Sequence, residues 1–481
     1  MFGNTYRIFI WLIGLIIFLP LQTLATHVLG ADMHWESIGK DTFKLSLNIY
    51  RDCNGVNQDS TYIDLKSTCR TERVLAKLVS KTDITPLCKG VKSRCSNPTS
   101  SFNYGIEKVE MSAIFTTTNF INDGCCEIQL IVAQCCRSNS IVGTGFPLYL
   151  KSTINACLSG NLNSPKFLNE PLNLICLNND FSYSFKVAHN DFDSIRYELV
   201  PSLIDSATSF KYENGFDYYK PMSFLGFPKV DQELPKGFHF NGITGQLDFR
   251  PTKPEIKFLA IKVKAFLQGE IINEIARDIT ATVIKCQDNE PPKISGIACT
   301  DMLTSNFKIE TLPNKLLQFN FCISDSFDND SVWVKWQNEI PGSKIEVTDS
   351  ANGQFQFRWT PVDSNLRKEP YTFTVYANDN SCPMKGHAVK TYSINVRRFV
   401  SIEDYGHSIS VYPNPTKNQL TILTNKPGHF ELFGSNGKLV YAKTLEQKRS
   451  YFNLSHLDKG IYVYHFKTHS AIYSGKLILK N

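Results

Sequence analysis

The chain has little net charge for its length. Its 51 Lys and Arg residues offset 45 Asp and Glu residues, leaving +6 over 481 residues. So small an imbalance, spread along the chain, points to no nucleic-acid groove and no polybasic membrane patch. Long helical periodicity is scarce too, which argues against the α/β folds that hold nucleotides. No His-Glu-x-x-His, Gly-x-Ser-x-Gly or phosphate-cradling Gly-rich loop occurs. No Cys-x-x-Cys and no Cys/His spacing of a zinc site occurs either. His27 and His34 lack a third ligand at a suitable spacing, so they read as satisfied or solvent-facing side chains. A paired-carboxylate glycosidase site needs no local motif, yet nothing selects two of the 45 acidic residues. No catalytic residue is therefore assigned, and the chain reads as a non-enzyme. Beyond the first 25 residues, no apolar run is long enough to span a bilayer.

What is present points outward from the cell. Arg7 precedes an apolar run from Ile8 to Leu19, and Thr23-Leu24-Ala25 supplies small residues at a cleavage position. Residues 1–25 thus read as a signal peptide, with an uncleaved anchor as the alternative. All 14 cysteines follow it: Cys53, Cys69, Cys88, Cys95, Cys125, Cys126, Cys135, Cys136, Cys157, Cys176, Cys286, Cys299, Cys322 and Cys382. An even number in an exported chain reads as a disulfide framework. Ten of them, from Cys53 to Cys176, should staple one region densely. Cys125-Cys126 and Cys135-Cys136 flank a strand, and adjacent side chains point to opposite faces. Each pair should therefore tie that strand to two different neighbours.

The fold class is all-β: tandem β-sandwich modules of immunoglobulin or cadherin type after a disulfide-rich N-terminal β domain. Residues 26–156 alternate apolar and polar residues in one short strand after another. Residues 157–287 and 288–398 then repeat one plan. Phe181 to Ala188, an acidic loop and Ile195 to Leu199 match Leu317 to Ser324, an acidic loop and Val332 to Trp336. Gly242 to Thr252 likewise matches Ala351 to Pro361. A period above a hundred residues implies tandem sandwiches rather than a solenoid. The Pro-containing stretch Asp288 to Pro292 and the polar residues 399–407 read as linkers, giving beads in a row ahead of a terminal domain at 408–481.

The two copies resemble bacterial cadherin-like or immunoglobulin-like surface modules, in which an acidic loop after the second strand binds calcium. The resemblance makes Asp325, Asp328 and Asp330 candidate calcium ligands, since alternate carboxylates can converge on one hard cation. The first copy offers only Asp191 and Asp193, and neither loop has a closing Gly. A solvated acidic turn is the alternative, and no other cofactor is implied. Phe210 to Phe227, with Phe216, Tyr218, Tyr219 and Phe224, has no clean period. It reads as a loop that either docks a sugar or protein or folds back on its module.

The end of the chain carries the most specific pattern. Seven short strands follow His407, separated by NPTKN, NKPG, GSNG and HLDKG. Tyr412, Pro413, Asn414 and Pro415, then Gly437, then Lys459, Gly460, Ile461 and Tyr462 stand in the order of the type IX secretion C-terminal sorting domain, which this stretch resembles. That resemblance implies two partners, the type IX translocon and its sorting peptidase, and passage through the periplasm to the surface of a Gram-negative cell or the medium. At the other end, Ala25-Thr26-His27 with Gly30-Ala31-Asp32, Tyr50 to Gly55, Cys135-Cys136-Arg137 and Asn163 to Phe167 resemble the N-terminal part of gliding-motility-associated surface proteins. The function expected is that of an adhesin-like or structural surface protein with an unidentified extracellular protein or glycan ligand. An exported hydrolase is the alternative.

Overall fold

The computed structural model describes residues 27–137, 146–189, 191–225, 237–286, 289–299, 307–325, 330–397, 409–424, 426–446, 449–469 and 472–480. They form strands almost throughout, in two compact units, 1–397 and 398–481. Among the described residues no helix is long and apolar enough to cross a membrane.

In the first unit, seven strands lie side by side in the order Val28–Gly39, Thr42–Asp52, Ile106–Thr116, Thr71–Asp83, Ser60–Lys66, Glu127–Gln134 and Leu148–Asn155. Alternation decides which face is buried. Met33, Trp35, Leu45, Leu47, Met111 and Phe115 point inward at every second position. Each fully buried side chain such as Leu47 or Phe43 stabilises the fold by roughly 1.5–3 kcal/mol. Both outer strands of this sheet then meet one edge of a single long strand, Glu270–Ile284. Asn273 and Glu274 pair with Ile154 and Thr153, while Arg277, Asp278 and Ile279 pair with Asp32, Ala31 and Gly30. The opposite edge of the long strand carries its hairpin partner, Ile256–Leu267. Neither outer strand is left as an open template for foreign strands.

This closure corrects the expected boundary between 26–156 and 157–287. The two regions share one sheet, and Trp35, Leu47, Tyr183, Ile275 and Val283 belong to one hydrophobic core. Alternation reports which face of a strand is buried, not which neighbour it pairs with, so the boundary was not readable from period alone.

The repeat itself is visible strand by strand. Phe181–Ser184 pairs with Gln246–Pro251, as Leu317–Ser324 pairs with Gln354–Trp359. Ser194–Val200 pairs with Ile256–Leu267, as Trp333–Asn338 pairs with Tyr371–Asn378. In both copies the last strand takes a short parallel partner, Leu174–Cys176 in one and Lys308–Thr311 in the other. Gly245 and Gly353 occupy the same place before their strands, at φ +69° and +57°. Their carbonyls accept from Phe185 N and Ile323 N, both at 2.9 Å.

The two copies are not separate beads. Ser182 Oγ donates to Val389 O, and Gln246 Nε2 donates to the same carbonyl at 3.0 Å. Ion pairs Lys390–Asp248 at 2.6 Å, Arg196–Glu369 at 2.6 Å and Lys186–Glu339 at 3.6 Å cross the same junction. A Pro-rich linker sets local stiffness; it does not stop flanking domains from packing on each other. The linker at 399–407 lies outside the described residues.

The second unit is a small sandwich with its own core of Leu420, Ile422, Phe430, Leu432, Phe466 and Leu477. Three strands, Ile409–Tyr412, Gln419–Thr424 and Arg449–Asn453, face four: Leu439–Leu445, Gly428–Phe433, Gly460–Lys467 and Ile472–Leu479.

Candidate functional site

The N-terminal motifs converge where the sheet closes. Arg277 and Asp278 are neighbours on one strand, so their side chains take opposite faces. Arg277 meets Asp32 at 2.7 Å, with both side chains almost wholly buried. Asp32 also accepts from Tyr50 Oη at 2.7 Å and Asn48 Nδ2 at 2.8 Å. Burial alone would raise the Asp32 pKa, but Arg277, Asn48 and Tyr50 together hold it below its ordinary value. Burial and the Asp32 carboxylate push the Tyr50 hydroxyl well up, so it stays protonated and donating. The Arg277 guanidinium donates further to Asn169 O at 2.7 Å and lies 4.1 Å from the Phe167 ring centre. On the opposite face Arg137 meets Asp278 at 2.6 Å and lies over Phe258 at 4.3 Å.

The remaining motif residues serve the same closure. Gly30 lets the backbones approach, since a Cβ there would sit 2.3 Å from Asp278 O. Ser164 Oγ accepts from Trp35 N at 2.8 Å. Arg51 holds the Asp52 to Asn57 turn through Gly55 O, Val56 O and Asn57 Oδ1, and pairs with Glu107 at 2.6 Å. These carboxylates and guanidiniums are paired and enclosed, an arrangement that positions strands and leaves no proton acceptor open to a substrate. Sequence reading missed Arg277 and Asp278. Their signal was an adjacent Arg-Asp in the stretch IARDITATVI, which holds no other charge.

All fourteen cysteines are paired: Cys53–Cys95, Cys69–Cys125, Cys88–Cys382, Cys126–Cys157, Cys135–Cys136, Cys176–Cys286 and Cys299–Cys322. Cys125 and Cys126 do tie their strand to two neighbours. Cys135 and Cys136 instead bond to each other, because the strand ends at Gln134 and they are not held on its two faces. The expected dense staple within 53–176 is also looser, since Cys88 and Cys176 reach far beyond it. A cleft of about 290 Å³ lies between these two long-range bonds, and among the described residues no His, Asp or Glu lines it.

Among the described residues no group of three His, Cys, Asp or Glu fits an ion. Asp325 and Asp330 flank a segment, containing Asp328, that lies outside the described residues. In the first copy, Asp191 accepts from Asn163 N at 2.9 Å and Asp193 from Gln268 N at 2.6 Å, so both tie loops together. His34 is buried, and burial pushes its pKa down to about 4. The aromatic stretch mostly folds back. Phe210 packs edge-on to Phe146 and Phe258, and Lys257 lies over Phe216. Tyr218 and Tyr219 stay exposed, while Gly226 and Phe227 lie outside the described residues.

In the terminal unit the motif residues are turns and ties. Asn414 donates to Lys476 O at 2.5 Å and accepts from Ile478 N at 3.0 Å, locking the segment after Tyr412 and Pro413 onto the last strand. Thr416, just past Pro415, continues that tie by donating to Ile478 O. Gly437 turns the chain at φ +79°, Lys459 Nζ reaches Lys480 O at 3.4 Å, and Tyr462 Oη donates to Asp458 O at 2.6 Å. Gly460 opens the strand that carries Ile461, which is exposed. Residues 410–480 match the family model of the secretion system C-terminal sorting domain. The terminal unit is a sorting domain. It means export to the cell surface or the medium, and the match assigns nothing to the residues before it.

No curated protein matches the chain in sequence. Similar solved structures include titin Ig tandem domains A164-A165, at 8% identity, 48% of this chain, 96% of that one and TM-score 0.17. The N-terminal eight Ig domains of Down Syndrome Cell Adhesion Molecule give 9%, 95%, 59% and 0.18. The BSP domain of a biofilm associated protein gives 9%, 96%, 98% and 0.14.

Proposed function

We propose that residues 26–398 are the working part of an exported, non-enzymatic binding protein, adhesin-like and associated with gliding. The sorting domain would carry it through the periplasm to the outer surface of a Gram-negative cell, where translocon and sorting peptidase are its partners. The observation that supports this reading is the use of its buried charges. Asp32, Arg277, Asp278 and Arg137, all almost wholly buried, are spent on joining strands. Rigid closure and seven disulfides suit a scaffold that presents a surface under load. The test is retention of labelled cells by the purified 26–398 fragment, beside turnover of a polysaccharide and peptide panel. Retention without turnover is expected. Turnover abolished by one acidic substitution would overturn the reading in favour of a hydrolase.

A further inference from the structure

Trp333 opens an edge strand of the second sandwich and keeps 59% of its surface exposed. A lone exposed ring is ordinary on a protein surface, but this one stands at the wall of a cleft beside polar groups. Trp333 pairs across the sheet with Asn378, and Asn378 pairs with His387. Cross-strand partners share a face, so indole, amide and imidazole form a row over three adjacent strands. Lys385 lies two residues before His387, and Pro86 and Leu172 of the closed N-terminal region complete the lining of a cleft of about 310 Å³. His387 Nδ1 lies 2.6 Å from Asn378 Oδ1. With that oxygen accepting, Nδ1 carries the proton and Nε2 remains an acceptor. Burial, with Lys335 nearby, pushes the His387 pKa down to about 4, so the ring is neutral at pH 7. Among the described residues the lining holds no carboxylate and one cation, Lys385.

We propose that this cleft binds a saccharide unit of an acidic glycan, stacked on Trp333 and with its carboxylate on Lys385. A pyranose has one C–H-rich face that suits an indole, and a rim of hydroxyls that both donate and accept. Asn378 and His387 supply a donor and an acceptor beside that ring, and the ammonium supplies a charge-assisted contact. The inference rests on the binding-protein reading above and names its ligand class.

The test is affinity electrophoresis of the full exported protein in gels containing polygalacturonate or dextran. Polygalacturonate should retard it and dextran should do so less. Trp333→Ala should weaken that retardation by about tenfold or more, and Trp333→Phe should keep most of it. Lys385→Ala should bring polygalacturonate down to the dextran level. An exposed position makes misfolding of these variants easy to check by their unfolding midpoints. Unchanged retardation of Trp333→Ala, or none by polygalacturonate in the parent, would overturn the site. Cell retention that persists without polygalacturonate binding would overturn the cleft alone; loss of both would overturn the function as well.

Discussion

Asp32 is surrounded by groups that only make sense together. Its carboxylate takes a guanidinium, a phenol and an amide, all buried. Removing one partner strands the others, which costs about 3–5 kcal/mol for a buried pair, whereas replacing both by apolar groups of similar volume costs much less. Asp32→Ala and Arg277→Met should therefore each lower the urea midpoint sharply. The double variant should fall by less than the sum of the two. Additive losses would show that the pair is not coupled. His34, two residues along, gives a pH signature. Its folded pKa, about 4, lies below its ordinary value of 6.5, so below pH 6.5 the unfolded chain takes up a proton that the folded chain refuses. Stability should fall from pH 6.5 towards 4, and His34→Gln should flatten that slope in urea unfolding across this window.

At the scale of elements, the repeated glycine before Gln246–Pro251 and before Gln354–Trp359 can be tested in parallel. A Cβ at Gly353 would sit 2.2 Å from Ile323 O, whereas at Gly245 it would meet the edge of the Tyr197 ring at 3.0 Å. Backbone cannot yield as a ring can. Gly353→Ala should therefore cost more than about 1 kcal/mol and exceed the loss from Gly245→Ala, measured by thermal unfolding. How much of this was legible follows from what each signal encodes. The seven terminal strands and the strand-by-strand repeat were readable, because turn residues and alternation are local. The pairing of Asp32 with Arg277 spans 245 residues and leaves no local trace beyond an adjacent Arg-Asp in a stretch without other charges. The Cys135–Cys136 bond was misread because alternate faces apply only inside a strand, and Gln134 is the strand's last residue. Alternation did not single out Trp333, since an exposed edge position has the same period as a buried one.

For the molecule as a whole, the long-range ties matter most. Cys88–Cys382 closes 294 residues of chain and joins the N-terminal sheet to the second sandwich. Constraining so long a loop contributes up to about 5 kcal/mol. The Cys88→Ser/Cys382→Ser double variant should unfold at lower temperature, with the second sandwich losing amide-exchange protection first around Val389, where the copies meet. Unaltered protection there would mean that the ion pairs and backbone contacts hold the copies together without the bond. The sorting domain has a core of its own. The most direct measurement is therefore surface labelling of intact cells that produce either the full chain or one ending at residue 398. The full chain should be labelled or found in the medium, and the truncated chain should remain in the periplasm. Normal surface display of the truncated chain would contradict the account.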